Sequence, residues 1–543
     1  MEYRTIIHMK RRNLLIAIMV LAVAGCRIPD NSDKHIFRYN EPAGITTLDP
    51  AYAKEQTLIW GCTQLYNGLV RLDEQLQPQP CIAHSWTISP DGKTYTFSLR
   101  NDVSFHKNPL FNTPDSTRTV TAADFLYSFN RIFNPESDSP GRWIFSDVDR
   151  FEAPDDTTFV IHLTQPFSPF LSLLGMAYCS VVPHEVVEHY GPDFRQHPCG
   201  TGPFFMQLWK ENVKLVMRRN PLYFERDSNG NRLPYLDAVA VTFIVDRQTS
   251  FLEFVKGNLD FMNSLDAAYK DELLTRTGEL KAKYADRIDM ASTPFLNTEY
   301  LGFLIEGAKS PLNDRRIRQA INYGFDREKM MRYLRNGIGA PGCGGMVPQG
   351  LPGFDTIADY GYTYNPAKAA QLLAEAGYPH GKGMPTITLS TTSNYLDLCK
   401  YIQQQLGLLG FDIKVDVTPP AALREQVAQG KIPWFRKSWI ADYPDPENYL
   451  MLFYSPNRCP AGSNYTRYSN AKYDKLYRRA KQTSDEQERI ALYRQMDRMI
   501  MEEAPVVVLY YDQVLHFTHK NVHGLRSNAM NALDLRYVTI DKH

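Results

Sequence analysis

Trp434-Phe-Arg436-Lys-Ser-Trp439-Ile-Ala-Asp442-Tyr-Pro444-Asp445-Pro446-Glu447-Asn-Tyr449-Leu-Met-Leu-Phe-Tyr454 gathers two tryptophans, an arginine and three carboxylates into one run. Proline fixes φ and offers no backbone N–H. Pro444 and Pro446 therefore make the segment after Asp442 an irregular loop and not a strand interior. Asp445 and Glu447 suit plain turn chemistry as well as ligand binding. Arg436 and Asp442, one on each side of Trp439, ask for more. A zwitterionic ligand needs an anion at one end, a cation at the other and apolar walls between.

The opposite end of the chain carries a second signal. Lys10-Arg11-Arg12 precede twelve apolar or small residues, Leu14 to Gly25, and then Cys26. A charged start followed by so short an apolar run is a secretory leader, too short to cross a bilayer comfortably. Val23-Ala-Gly-Cys26 resembles the lipobox of bacterial lipoproteins, which implies that Cys26 is lipidated and becomes the first residue. No later window reads as a membrane span. The mature protein is thus expected in the cell envelope, on the periplasmic or extracellular face, held to a membrane by its N-terminal lipid.

The totals exclude several classes. With 43% hydrophobic and 22% charged residues the 543-residue chain is globular and not disordered. Its 60 basic and 60 acidic residues balance, and no strongly basic domain stands out, which argues against a nucleic-acid partner. Aromatics at 12% suit binding walls and large cores equally. Beyond Cys26, the cysteines are Cys62, Cys81, Cys179, Cys199, Cys343, Cys399 and Cys459. Their number is odd, so at least one thiol stays free or pairs elsewhere. An exported chain permits disulfides, but the connectivity is not readable. The absence of CxxC argues against zinc ribbons and thioredoxin-like chemistry.

Along the chain, alternation marks strands at Ile36–Asn40, Thr94-Tyr-Thr-Phe-Ser-Leu99 and Asp156 to Leu163, with Pro90-Asp-Gly92 as a turn. Thr121-Ala-Ala-Asp124 caps a helix that ends before Asn134-Pro135. Pro198-Cys-Gly200-Thr-Gly202-Pro-Phe204 lacks the Lys-Ser/Thr ending of a phosphate loop and leads into a strand. The strand from Thr386, the helix from Tyr395 to Leu409 and the strand from Phe411 to Val417 form a βαβ unit, implying a parallel pair. Ser484-Asp-Glu-Gln487 reads as a capping box before a long helix, and Pro505 to Tyr511 as a buried strand.

Several of these runs match one family in order. Leu65-Tyr-Asn-Gly-Leu69, Ser89-Pro-Asp-Gly92, Pro311-Leu-Asn-Asp-Arg-Arg-Ile-Arg318 and above all Arg436-Lys-Ser-Trp439-Ile-Ala-Asp442-Tyr resemble the peptide-binding lipoproteins of ABC importers. These are of the oligopeptide and dipeptide type, extracellular solute-binding protein family 5. The resemblance covers roughly residues 36–540. It implies an α/β, two-lobed periplasmic-binding-protein-like fold of type II, cluster C style, with an extra subdomain in the first lobe and a hinge cleft. Its expected divisions are 1–25 signal peptide, 26–35 tether, 36–56 first segment of lobe I, 57–170 extra subdomain, 171–294 second segment of lobe I, 295–505 lobe II and 506–543 a return to lobe I.

By position the resemblance gives Asp442 the peptide's α-ammonium and Arg436 its carboxylate, with Trp439 as a wall, Trp434 a weaker candidate, and Tyr510 near the cleft. The expected partners are a short peptide and the permease subunits of an ABC transporter. No cofactor is expected. Relatives that bind nickel chelates, haem or oligosaccharides leave a non-peptide ligand as the alternative. No serine-hydrolase elbow, zincin motif or nucleotide loop occurs in a fitting context. The enzyme alternative is a secreted glycoside hydrolase using two of Asp442, Asp445 and Glu447. His516, His519 and His523 are the one histidine cluster; their spacing is not that of a tight metal site, and a surface position is expected for them.

Overall fold

The computed structural model describes residues 35–264, 269–306, 310–354 and 356–541. The expected leader and its Cys26 lie outside them. One large mixed sheet runs through the molecule in the order Ile413–Val417, Ile387–Thr391, Trp434–Ile440, Ile288–Phe303, Val506–His519, Phe261–Asn263, Ile36–Asn40, Ala238–Thr242, Lys214–Arg219, Phe204–Lys210, with Ala340–Pro341 beside Val506–His519. At one end the parallel pair Ile387–Thr391 and Ile413–Val417 is bridged by the helix Leu396–Gly407, the expected βαβ unit.

Two strands join the lobes, and sequence patterning shows neither at full length. Ile288–Phe303 and Val506–His519 pair antiparallel, residues 288–294 against 513–519 and residues 298–302 against 506–511. Their register breaks between Pro294 and Thr298. The first half of the pair continues into the first-lobe strand Phe261–Asn263, the second half into Trp434–Ile440. An interruption of this kind bends a strand pair, and it falls between the half joined to Phe261–Asn263 and the half joined to Trp434–Ile440. Pro294 and the polar residues around it hide the strand's alternation.

A separate four-stranded sheet, Ala83–Ile88, Thr94–Leu99, Thr158–Leu163, Val148–Asp155, packs under the helix Ala122–Phe133. Thr121 and Asp124 form the reciprocal cap of that helix, and Phe125 and Phe129 meet Phe159 with ring centroids 5.8 and 5.4 Å away. This sheet shares one continuous core with the first-lobe strand Ile36–Asn40. Gly200 and Gly202 explain the glycine-rich run. A Cβ at either would collide with the backbone at Leu65, so the run is a close packing of two backbones, and it leads into Phe204–Lys210.

Two local expectations need correction. The long helix Glu486–Glu503 is capped by Asp485, whose side chain accepts from the Glu488 amide, and not by Ser484. His516 is buried and bonded through its ring to the Asn531 side chain at 2.9 Å, and His519 bonds to the Phe254 carbonyl at 2.7 Å. Only His523 of the three lies on the surface, beside Asp541. The seven described cysteines are all free thiols.

Candidate ligand-binding cleft

Trp434–Ile440 is a strand, and a strand sends successive side chains to opposite faces. Trp434 and Arg436 therefore share one face while Phe435 and Trp439 share the other. Trp434 is fully buried in a second-lobe core, 5.8 Å from the Phe303 ring. The expectation of Trp434 as a cleft wall is corrected by that packing. Arg436 forms an ion pair with Glu299 of the strand Ile288–Phe303 and lies over the Tyr395 ring. Its charge is met inside the protein, with its side chain only 11% exposed. Tyr510 is fully buried as well, its ring 4.6 Å from the Arg335 guanidinium.

The strand ends at Ile440, and the chain turns out of the sheet onto the wall of a partly open cavity of about 650 Å³. Asp442 lines it. Asn448, itself fully buried, holds this turn together. Its side-chain oxygen accepts from the Trp439 indole N–H at 2.8 Å and from the Asp442 amide at 3.0 Å, while its amide nitrogen donates to Asp442 Oδ2 at 3.4 Å. Trp439 is half-buried, packs against the second-lobe core and is not among the residues lining the cavity, which corrects its expected place as a wall. Asp442 is exposed on the cavity wall, yet the protein packed around it partly desolvates its carboxyl and pushes the pKa up, with Asn448 opposing. No cation pairs with it among the described residues.

The remaining walls come from the first lobe. The helix Gln56–Leu65 contributes Trp60 and Gln64, whose side chains donate to the carbonyls of Asn531 (2.7 Å) and Leu533 (2.9 Å) and so fix the 528–536 loop. Tyr178 faces Asp442, and burial with that neighbouring charge pushes its hydroxyl up to about 12. Arg71, Tyr223, Asp534 and Arg536 line a further part of the wall. Phe295, at the break in the crossing strands, lines it too. Asp445 and Glu447 serve structure: Glu447 is buried and accepts from the hydroxyls of Tyr443 and Tyr477. Asp445 accepts from the Glu447 amide at 2.9 Å.

The lobes touch beside the cavity. Tyr443 packs into the first-lobe core, its ring 5.9 Å from that of Trp143 and 6.4 Å from that of Phe167. Lys481 pairs with Asp147 at 2.9 Å, and the Ser168 hydroxyl donates to the Thr483 carbonyl at 2.7 Å. Among the described residues no group of histidines, cysteines and carboxylates could hold a metal ion, and no helix is long and apolar enough to cross a membrane.

A partly open cavity lined from both lobes, with aromatic walls and one carboxylate unpaired among the described residues, fits a binding protein of the two-lobed solute-capturing class. The chain belongs to the bacterial extracellular solute-binding proteins, family 5, whose model matches residues 77–459. It is an extracytoplasmic solute-binding component of an ABC importer, and not an enzyme. Among its relatives, the glutathione-binding protein GsiB of Salmonella choleraesuis is 26% identical over 489 residues, covering 89% of this chain and 90% of its own length. Among solved structures, the periplasmic binding protein DppA of Helicobacter pylori in complex with peptide STSA is 26% identical with a TM-score of 0.73, covering 93% of this chain and 98% of that one. HbpA2 of Haemophilus parasuis shares the fold at a TM-score of 0.80 and 24% identity, covering 93% and 100%.

Proposed function

We propose that this protein captures short peptides bearing a free α-ammonium group, encloses them by closure of its lobes and hands them to the importer's permease. The observation that carries this reading is Asp442. A carboxylate exposed on the wall of the inter-lobe cavity, without a cationic partner among the described residues and with its pKa raised by desolvation, is completed by a ligand cation. Charge-assisted hydrogen bonds of this kind are about twice as strong as neutral ones. The cavity volume of about 650 Å³ falls within the range of small-ligand sites. Relatives named for glutathione and solved with a tetrapeptide support a peptide ligand. Anchoring through a lipid on Cys26 is part of the same proposal.

Native mass spectrometry of the chain purified without residues 1–26 tests it. Co-purified masses that sequence as short peptides are expected. A single non-peptide mass would keep the importer role and overturn the peptide.

A further inference from the structure

If Asp442 takes the ammonium, the cavity still needs a partner for the ligand's negative charge, and Arg436, 11% exposed in its pair with Glu299, is not among the residues lining it. The first-lobe wall carries two arginines, and they are not equivalent. Arg536 is engaged on three edges: Nε and Nη2 hold the two oxygens of Asp534 at 2.9 and 2.7 Å, and Nη1 holds Glu225. Asp534 also lines the cavity, but its charge is taken up by that bidentate pair, which holds its carboxyl below the usual range despite burial. Arg71 touches Glu225 through Nη1 alone. Its Nε and Nη2 have no partner among the described residues, and its side chain is 33% exposed at the cavity. Glu225 bridges both arginines, so it fixes the Arg71 guanidinium from one side. Tyr223 lies buried beside this cluster, with its hydroxyl unpaired.

We infer that Arg71 is the receptor for a carboxylate of the ligand, its orientation fixed by Glu225 and Arg536. A guanidinium with one edge fixed and another open is suited to planar, bidentate recognition of a carboxylate. Lys54, the other cation on the wall, is an exposed point charge with no such fixed geometry. Asp442 and Arg71 then come from different lobes, so a ligand holding both would tie the lobes together. The inference rests on the peptide reading. The carboxylate is either the peptide's C-terminus or an acidic side chain, and the two sources are separable.

The test is calorimetry of the mature chain with two peptide pairs: trialanine against its C-terminal amide, and Ala-Glu-Ala against Ala-Gln-Ala. The wild type should bind the acid of one pair about tenfold more tightly or better than its amide, the scale of a charged hydrogen bond. The pair that shows the preference names the source. Arg71→Gln should reduce that preference to about twofold or less, and Arg71→Lys, which keeps the charge without the fork, should restore part of it. Should Arg71→Gln unfold, Arg71→Lys carries the comparison, since its preference must fall below that of the wild type. Peptide binding without preference in either pair, or a preference that survives both variants, overturns the role of Arg71 and leaves the peptide reading standing. Failure of every peptide to bind overturns both.

Discussion

The Asp442 carboxylate has one hydrogen-bonding partner among the described residues, the Asn448 amide at 3.4 Å. Asp442→Asn is expected to weaken binding of free-amine peptides by about 2–5 kcal/mol, the scale for truncating one side of a buried charge pair. Calorimetry that shows unchanged affinity would remove Asp442 from the site. The raised pKa gives a signed pH dependence. A carboxyl whose folded pKa lies above its unfolded value binds protons more tightly when folded. The empty protein therefore loses stability as pH rises through that interval. Ligand affinity runs the other way, because the ammonium needs the ionised form, and it falls as pH drops through the raised value. In Asp442→Asn both slopes attributable to this group should vanish. Asn448→Ala removes the acceptor of two N–H groups, the Trp439 indole and the Asp442 amide. It should cost about 1–3 kcal/mol in urea unfolding and lower affinity with Asp442 still present. The resemblance, through Trp439 and Ala441 that frame Asp442 in sequence, pointed to a residue that lies on the cavity wall. Arg436 was misread because the charge that satisfies it, Glu299, stands 137 residues away. Nothing local to the Trp434 run shows that pairing.

At the scale of elements, the crossing strands concentrate charge where their register breaks. Glu299 pairs with Arg436, and Arg335 with Asp512 at 2.9 Å. Asn297 donates to Glu299 at 3.2 Å and to Asp512 at 3.3 Å. Burial pushes the Glu299 carboxyl up, with Arg436 opposing. Glu299→Ala would strand the Arg436 guanidinium in a nearly dry site, which costs about 3–5 kcal/mol when the pair is buried. Urea denaturation of the mature chain should register it, and a loss under about 1 kcal/mol would show that water relieves the arginine. The βαβ unit, the capped helix Ala122–Phe133 and the short strands of the four-stranded sheet were readable from local pattern, because each satisfies its pattern locally. Ile288–Phe303 was not. Its two halves face different lobes, so no single alternation runs its length, and Pro294 interrupts what remains.

At the scale of the whole molecule, the question is what holds the lobes together. The Lys481–Asp147 pair is partly exposed, with side-chain exposures of 26% and 16%, and a pair of that kind contributes about 0–1 kcal/mol. Tyr443 is the stronger candidate. It follows Asp442 directly, is 4% exposed, and packs its ring into the first-lobe core while its hydroxyl is held by Glu447 of the second lobe. A ligand that engages Asp442 thus acts one residue away from the side chain that joins the lobes. Tyr443→Ala should shift the empty protein toward an open form. The population competent to close then shrinks, and apparent affinity falls by the same fraction even though no ligand contact is lost. Small-angle scattering should show a larger radius of gyration for the variant without peptide, and contraction toward the wild-type value at saturating peptide. Equal radii for both empty proteins would mean that closure is carried elsewhere, in the crossing strands or by the ligand alone.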